Sequence, residues 1–158
     1  MTLIRPADAS EVSAIAALRR EDREPADDPG FEDRFASWLV AEGDRRLSWV
    51  AELDGELIGC ASLFEYRRMP APGRPDARWG YLGNMFVLER HRNAGVGTEL
   101  LNAVIDEADR RGYARVVLAP TVPAVPFYER AGFVDAGERA GVDRLMVRHG
   151  GAPGRRSA

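Results

Sequence analysis

Residues 81–101 combine a glycine-bearing turn with flanking elements in a way that favours the binding of an anion. The sequence places a β-strand before the turn and a long amphipathic helix after it. Gly95 and Gly97 allow the backbone to curl tightly and to approach a ligand closely. The first amides of a helix lack partners within the helix and lie at the positive end of its dipole. The segment therefore predicts a phosphate or pyrophosphate site, and an ordinary tight turn is the alternative that the glycines alone leave open.

Two well-known phosphate-binding motifs do not fit this segment. A dinucleotide-binding fingerprint requires a third glycine three residues after Gly97, where the chain has Leu100, and an early place in a βαβ unit. A P-loop requires a lysine, and all 22 basic residues of the chain are arginines. The same absence excludes a Schiff-base mechanism on a lysine of this sequence.

A second segment, residues 124–133, predicts a short helix that ends at Gly132 and leads into a strand beginning with Phe133. Tyr128 lies within this helix. A tyrosine hydroxyl can donate a proton, and a plain core position is the alternative for a tyrosine in a short helix. The segment thus supplies one candidate for acid chemistry.

Together the two segments resemble the motifs of the GCN5-related N-acetyltransferase (GNAT) superfamily. The acyl-CoA loop of that family reads Q/R-x-x-G-x-G/A, and residues 92–97 match it as RNAGVG. A later family motif, A-x-x-F/L-Y-E-x-x-G-F, is matched by Ala124, Phe127, Tyr128, Glu129, Gly132 and Phe133. The resemblance extends over residues 2–148 in the order of the predicted elements.

The resemblance implies transfer of an acetyl group from acetyl-CoA to a primary amine. It implies that backbone groups of Met85, Phe86 and Val87 hold the pantetheine arm and polarise the thioester, and that Tyr128 is the general acid toward the sulfur. It places the pyrophosphate on a run of residues in the loop and the first helical turn: Arg92, Asn93, Ala94, Gly95, Val96, Gly97 and Thr98. Thr121 and Phe127 are the further cofactor-binding residues that it suggests.

Two positions depart from the family pattern and leave the general base open. Many relatives have a glutamate six positions before the residue matched by Val87, where this chain has Tyr81. Thr121 stands where relatives have an asparagine seven residues before the tyrosine, and a hydroxyl replaces only part of an amide's hydrogen bonding. The candidates for the base are Glu65, Tyr81 acting through water, or no dedicated protein base. His91 is expected to be a solvated surface residue.

The elements that must position these residues follow from hydrophobic periodicity and from capping signals. Strands are predicted at 3–5, 47–53, 56–66, 79–88, 115–119, 133–138 and 142–148, and the last two are expected to turn near Ala140-Gly141. Helices are predicted at 9–20, from Phe31 onward, after the glycine turn and at 124–131. One face of the second helix is expected to pack in the core, namely Phe31, Phe35, Trp38 and Leu39. The helix after the glycine turn is expected to end before Gly112 and to have an apolar stripe of Leu100, Leu101, Val104, Ile105 and Ala108. Asp8 and Glu11 predict a capping box, and Asp54-Gly55 predicts a hairpin turn.

This order of elements predicts an α/β (α+β) fold. The resemblance makes it the GNAT fold, with a mixed, mostly antiparallel sheet of about six or seven strands, about four flanking helices and a splay between strands 4 and 5. We expect one domain over residues 1–149, and a disordered tail over residues 150–158.

Composition limits the partners of the chain. A net charge of -3 does not favour nucleic acid or anionic lipid, and no apolar stretch reaches membrane-spanning length. Cys60 is the single cysteine, so no internal disulfide forms; we expect it to be buried, in a reducing cytoplasm. Two histidines and one cysteine do not make a metal site. Similar proteins commonly form homodimers through their final strands, which is an expectation for this chain.

Three functional hypotheses remain at this stage. The first is an acetyl-CoA-dependent N-acetyltransferase, the second a non-catalytic acyl-CoA-binding or regulatory module on the same fold, and the third an interaction domain without a ligand. The amine acceptor is left open among small molecules, antibiotics, peptide N-termini and protein lysines. Residues 21–30 are acidic and residues 67–78 basic, and the acidic loop either favours a cationic acceptor or is simply solvated.

Overall fold

The computed structural model describes residues 1–22, 27–137 and 144–151, which form a mixed seven-stranded sheet with four α-helices. The strands are β1 (Leu3–Pro6), β2 (Arg46–Leu53), β3 (Glu56–Arg67), β4 (Arg78–Val87), β5 (Arg115–Leu118), β6 (Val134–Asp135) and β7 (Met146–His149). The helices are α1 (Val12–Asp22), α2 (Phe31–Glu42), α3 (Val96–Arg110) and α4 (Val125–Arg130). The predicted fold class is therefore confirmed.

The sheet has the strand order β1-β2-β3-β4-β5-β7-β6. β4 and β5 are parallel, whereas β1 with β2, β5 with β7 and β6 with β7 are antiparallel pairs. In the parallel pair Gly80 lies opposite Val116 and Tyr81 opposite Val117, near the start of β4. This short register near one end of β4 is consistent with the predicted splay between strands 4 and 5.

The chain divides into two compact units. The first comprises Met1–Leu63 and Asn84–Val104, and the second comprises Phe64–Gly83 and Ile105–Ala158. Strands β3 and β4 and helix α3 contribute residues to both units.

In the first unit, α1 begins with the predicted capping box. The Asp8 side chain accepts a hydrogen bond from the Ser10 amide at 2.8 Å, and the Glu11 side chain accepts one from the Asp8 amide at 2.7 Å. These contacts satisfy amides that have no helical partner. A turn of 3-10 helix at Ala9–Glu11 leads into α1, which buries Ile15, Ala16 and Leu18.

The hairpin between β2 and β3 turns at the predicted two residues. Asp54 and Gly55 have φ angles of 51° and 84°. Positive φ at both central positions is the geometry that a tight β-hairpin prefers, because its twist matches that of the strands. Behind the turn, Val50, Ala51, Ile58 and Ala61 are almost completely buried and form part of the core of the first unit.

Helix α2 buries less of its aromatic face than its spacing predicts. Phe35 is buried, but Trp38 is 39% exposed, although core packing was the favoured interpretation for both. The Phe31, Phe35 and Trp38 rings stack in sequence along the helix. The guanidinium of Arg46 lies 4.5 Å from the Trp38 ring centroid, so a cation–π contact covers part of this exposed ring.

Helix α3 follows its prediction closely. Its apolar stripe, Leu100, Leu101, Val104, Ile105 and Ala108, is buried along its length. Gly112 follows the helix with a φ of 70°, as expected for a residue just beyond a helix C-terminus.

In the second unit the final strands are shorter than predicted. The prediction of strand over residues 133–138 is wrong at Phe133, Ala136 and Gly137, and residue 138 lies outside the described residues. After β6, the Asp135 side chain accepts a hydrogen bond from the Gly137 amide at 2.8 Å. This local turn diverts the backbone from the ladder. Strand β7 begins at Met146, and the predicted turn at Ala140-Gly141 lies outside the described residues. Residues 152–158 of the predicted tail also lie outside them.

Packing around Gly59 in β3 generates a stability prediction. A Cβ atom at Gly59 would lie 3.0 Å from the Phe86 carbonyl oxygen and 3.1 Å from Leu100 Cδ1, whereas one at Gly83 would meet nothing closer than 3.7 Å. We expect Gly59→Ala to lower the free energy of unfolding by about 1–3 kcal/mol, as overpacking does. Gly83→Ala is the matched control and should change it by less than about 1 kcal/mol. Urea unfolding midpoints measure both, and equal midpoints would contradict this packing.

Candidate functional site

The turn between β4 and α3 has the backbone geometry that its glycines predict. Asn93 and Gly95 adopt left-handed φ angles of 62° and 86°. The Glu99 amide donates to the Gly95 carbonyl at 3.0 Å, which is the first hydrogen bond of the helix. The amides of Val96, Gly97 and Thr98 precede that bond and therefore have no partner within the helix. They form the donor set that an anion at a helix N-terminus uses.

The core of the first unit holds this helix N-terminus in place. Val96, the first residue of α3, is 4% exposed, and Leu100, one turn later, is completely buried. Asn93, Ala94, Gly95 and Thr98 are exposed on the other side of the same turn. The first turn is thus anchored by apolar packing while the loop before it is accessible to a ligand.

Arg92 braces the turn against the end of β4. Its Nε donates to the Val87 carbonyl at 2.9 Å, and its guanidinium lies 5.5 Å from the Phe86 ring centroid. The side chain therefore folds back on the protein. Because Arg92 is exposed, its charge still contributes to a positive potential at the turn.

Residues Met85, Phe86 and Val87 form the last part of β4, directly before this turn. Phe86 is buried and Met85 and Val87 are half-buried. The Leu88 amide donates to the Ile58 carbonyl at 2.9 Å, which ties the end of the strand to β3. The first unit therefore brings the predicted thioester segment and the predicted pyrophosphate turn together as consecutive pieces of one supported backbone.

Two features of this strand were not predicted from the sequence. Asn84, immediately before Met85, has a left-handed φ of 52°, and Gly59 makes the close approach to the Phe86 carbonyl described above. Both have a signal in residue type, because asparagine is enriched among left-handed residues and a glycine within a strand often marks close backbone approach. Neither signal is strong enough alone to predict the geometry.

In the second unit, Tyr128 is a buried side chain on α4. It is 8% exposed, and its ring contacts those of Phe127 and Phe133 with centroids 5.1 Å and 5.8 Å away. The Tyr128 carbonyl accepts from the amides of Ala131 and Phe133, which fixes the end of the helix. Burial raises the pKa of Tyr128 to about 12, so its hydroxyl carries a proton at neutral pH.

Thr121 and Phe127 lie near Tyr128 in sequence but in different environments. Thr121 is exposed, and its carbonyl accepts from the Ala124 amide at 3.0 Å at the start of the turn that leads into α4. Phe127 is half-buried. Thr121 thus has an accessible hydroxyl, whereas Phe127 offers an apolar surface.

Among the described residues, no group of three or more histidine, cysteine, aspartate or glutamate side chains is placed to hold a metal ion. Within the same part of the chain, every helix is too short or too polar to cross a membrane.

Comparison with known proteins identifies the family. The model of the acetyltransferase (GNAT) family matches residues 12–133, which include both motifs and the strands that carry them. The chain belongs to this acetyltransferase family. It is 34% identical over 138 residues to the uncharacterized N-acetyltransferase YsnE of Bacillus subtilis, covering 84% of this chain and 70% of that relative.

Other relatives are more distant, and they differ in length. The glucosamine 6-phosphate N-acetyltransferase of Trypanosoma brucei brucei is 27% identical over 99 residues, covering 60% of this chain and 65% of that protein. Four curated relatives are matched over 34% to 70% of their own lengths. A crystal structure of a predicted acetyltransferase from Clostridium acetobutylicum, solved with acetyl-CoA, superposes on this chain with a TM-score of 0.76 at 21% sequence identity. The match covers 90% of this chain and 96% of that one, and it shows a common fold.

Glu65, one of the candidate bases, is held in a cluster of hydrogen-bonded and charged side chains of the second unit. It is 1% exposed. The Tyr113 hydroxyl donates to one carboxylate oxygen at 2.9 Å and Arg67 Nε donates to the other at 2.7 Å. Arg78 and Arg111 lie 3.8 Å and 3.7 Å from the carboxylate.

This environment makes Glu65 a weak base. Burial alone raises the pKa of Glu65, but the hydrogen bonds from Arg67 and Tyr113 and the nearby arginine charges outweigh it and leave the pKa below its ordinary value. Both oxygens are also occupied by donors. Glu65 is therefore a structural carboxylate, and its partners Tyr113 and Arg111 are residues that sequence analysis did not single out.

Tyr81, the other candidate base, and His91, beside the glycine turn, are both half-buried. Tyr81 lies over Gly83, since its Cε1 atom would be 3.7 Å from a Cβ at that position. His91 ends the short turn at Glu89–His91, and it is half-buried, less exposed than the solvated surface position expected for it.

The Glu65 cluster predicts a dependence of stability on pH. Glu65→Gln keeps the shape of the side chain but removes the charge that three arginines share, so we expect the free energy of unfolding at pH 7 to fall by about 1–3 kcal/mol. Because the folded pKa lies below the ordinary value, the stabilisation is complete above about pH 4.3 and is lost as the pH falls through the folded pKa. The difference between the two proteins should therefore shrink in acid.

Urea unfolding between pH 7 and pH 3 measures this difference. The exposed Glu129 of the same unit provides a control, and Glu129→Gln should have less than about 0.5 kcal/mol of effect at any pH. If Glu65→Gln has the same free energy of unfolding as the original protein at pH 7, the charge of Glu65 does not stabilise the fold.

Proposed function

We propose that this chain is an N-acetyltransferase that transfers an acetyl group from acetyl-CoA to a primary amine by direct attack on the thioester. The observation that carries the proposal is the anchored N-terminus of α3. A left-handed Gly95 precedes it and a buried Val96 fixes it, at the position of the acyl-CoA loop of the family. Acetyl-CoA is the acyl donor substrate in this proposal, in line with the acetyl-CoA-bound neighbour from Clostridium acetobutylicum.

The turn binds the pyrophosphate of the donor in this account. Amides of the turn and of the first helical turn donate to phosphate oxygens: Asn93, Ala94, Gly95, Val96, Gly97 and Thr98. Such donors are fixed before the ligand arrives and gain strength from the helix dipole. Arg92 contributes its charge while bracing the turn to Val87. Thr121 and Phe127 are proposed as further contacts to coenzyme A, through a hydroxyl and an apolar surface.

The end of β4 polarises the thioester. A backbone N–H within residues 85–87 donates to the carbonyl oxygen, which gains negative charge as the amine nitrogen attacks the carbonyl carbon. The new C–N bond forms as the amine lone pair is shared, and the C–S bond then breaks with its electron pair on sulfur. The amine proton leaves to water or to a base, for which Tyr81 acting through water is retained and Glu65 is not.

Tyr128 is proposed as the proton donor to the leaving sulfur. Its pKa of about 12 lies above the ordinary value of about 8.5 for a thiol. Complete transfer to the thiolate is therefore uphill by roughly 5 kcal/mol. A hydrogen bond from the hydroxyl to the developing thiolate is favourable throughout, and this refines the role inferred from unperturbed pKa values.

The fixed position of Glu65 favours a second candidate, a module that binds acyl-CoA without turning it over. A carboxylate held by Arg67 and Tyr113 does not serve as a base, and Thr121 replaces the asparagine of relatives. The two functions are separated by the release of free thiol from acetyl-CoA with a panel of amines. The panel should include glucosamine 6-phosphate, the substrate named for the Trypanosoma brucei brucei relative, together with a polyamine, an aminoglycoside and peptides.

A Tyr128→Phe variant tests the proton donor. We expect kcat to fall about 100-fold, because the developing thiolate loses a charge-assisted hydrogen bond, while the dissociation constant of acetyl-CoA changes less than about threefold. With the pKa of Tyr128 at about 12, kcat of the unaltered chain should also show no loss from tyrosine ionisation up to pH 10. Tyr113→Phe is the matched control, because it removes a buried tyrosine hydroxyl of the same unit that donates to Glu65 and has no proposed part in the reaction. Undiminished turnover by Tyr128→Phe would remove Tyr128 from the mechanism.

The two left-handed glycines that flank α3 test the pyrophosphate turn. Gly95 and Gly112 have φ angles of 86° and 70°, and neither has any atom within 4 Å of the position of a Cβ. Alanine at either position therefore incurs a similar backbone cost of roughly 1 kcal/mol. Only Gly95→Ala should weaken acetyl-CoA binding, by about tenfold, because only that turn carries the amide donors. Calorimetric titration measures both, and equal affinities would argue against the turn as the binding site.

A further inference from the structure

Asn84 occupies an unusual place in the first unit, since it has a φ of 52° in the interior of β4. Left-handed backbone at a residue with a side chain is uncommon and is tolerated best by asparagine. Such a conformation persists where the surroundings impose it. A left-handed residue within a strand interrupts the regular ladder and re-aims the backbone that follows.

Two neighbouring elements, α1 and β3, hold the Asn84 side chain. Arg19 on α1 donates from Nη1 to the Asn84 Oδ1 atom at 2.9 Å. The Asn84 Nδ2 atom donates to Cys60 Sγ on β3 at 3.5 Å. The Cys60 thiol in turn donates to the Asn84 carbonyl at 3.6 Å. Both ends of the amide and the carbonyl of the same residue are therefore engaged, and an amide flipped end for end would face donor with donor at Arg19.

The thiol is suited to this role because it keeps its proton. Cys60 is 1% exposed, and burial raises the pKa of its thiol to about 12. A protonated thiol donates to the carbonyl and accepts from the amide at the same time. After burial, the charge of Asp22 also raises the pKa of the thiol, and the half-buried Arg19 opposes it.

The segment that follows Asn84 is the one that the proposed reaction uses. The backbone angles of Asn84 set the orientation of the peptide between Asn84 and Met85. Two residues later, the Phe86 carbonyl lies close to Gly59, where a Cβ atom would be only 3.0 Å from the carbonyl oxygen. Backbone placement matters here, because misplacement of a catalytic group by about 1 Å can lower a rate about 100-fold.

We propose that Arg19, Asn84 and Cys60 are positioning residues that hold the left-handed backbone of β4, and thereby aim the N–H groups of Met85–Val87 at the thioester carbonyl. This inference rests on the proposed acetyl transfer. It assigns α1 a part in the reaction through Arg19, without contact between Arg19 and the substrate.

The test compares Arg19→Gln with Arg20→Gln, the adjacent arginine of α1, whose guanidinium donates to the Asp28 carbonyl instead. We expect Arg19→Gln to lower kcat at least about tenfold, with a change of less than about twofold in the acetyl-CoA dissociation constant. Arg20→Gln should leave both unchanged. Asn84→Gly allows the left-handed backbone without strain but removes both side-chain hydrogen bonds. Its kcat should therefore fall by as much as that of Arg19→Gln, and the kcat of the double variant should be no lower than that of either single variant.

A spectroscopic readout separates positioning from simple stability. The carbonyl stretch of ¹³C-labelled acetyl-CoA should shift to lower frequency when it binds the unaltered chain, and lose most of that shift on Arg19→Gln. Variants that lower the melting temperature but keep kcat and the carbonyl shift would overturn the inference. If the unaltered chain binds acetyl-CoA without turnover, the proposed catalysis fails while the carbonyl shift still decides the positioning role. If it does not bind acetyl-CoA, both proposals fall.

Discussion

The first turn of α3 leaves backbone amides without partners inside the helix, and the arrangement of the first unit depends on where those amides are held. Val96 and Leu100 anchor the turn in the core, and a left-handed Gly95 brings the loop to it. Apolar packing at the first helical residue prevents fraying, so the donors stay together and oriented. Arg92 then fastens the loop to the end of β4. A rigid set of donors beside a supported strand is what recognition of a pyrophosphate and a nearby thioester requires.

Glu65 and Tyr128 are two buried ionisable side chains of the second unit, and their different electrostatic environments suit them to different roles. Arg67 and Tyr113 donate to Glu65, which remains charged and contributes to stability. Tyr128 is buried among aromatic rings, and it remains neutral and able to donate. Burial acts in the same direction on both groups, and the difference arises from the hydrogen bonds and charges around Glu65. This contrast makes the Glu65 carboxylate poorly suited to act as a base, and it makes Tyr128 the better candidate for acid chemistry.

The features that could be predicted from sequence are those that local chemistry determines. The Asp8–Glu11 capping box, the Asp54-Gly55 hairpin and the left-handed Gly95 each depend on residues within a few positions of one another. The partners of Glu65 could not be predicted, because Tyr113 lies 48 positions away and only the fold brings it near. The exposure of Trp38 likewise depends on how much of α2 is covered. Family resemblance supplied the proposed roles of Tyr128 and Thr121, which spacing alone does not determine.

The central claim is that the amides at the start of α3 bind the pyrophosphate of acetyl-CoA. It is tested most directly by following the backbone amide resonances of Val96, Gly97 and Thr98 during titration with coenzyme A and, separately, with pantetheine, which lacks the pyrophosphate. The account predicts that coenzyme A shifts these resonances strongly and that pantetheine leaves them nearly unchanged. Binding of coenzyme A that moves other resonances but not these three would contradict it.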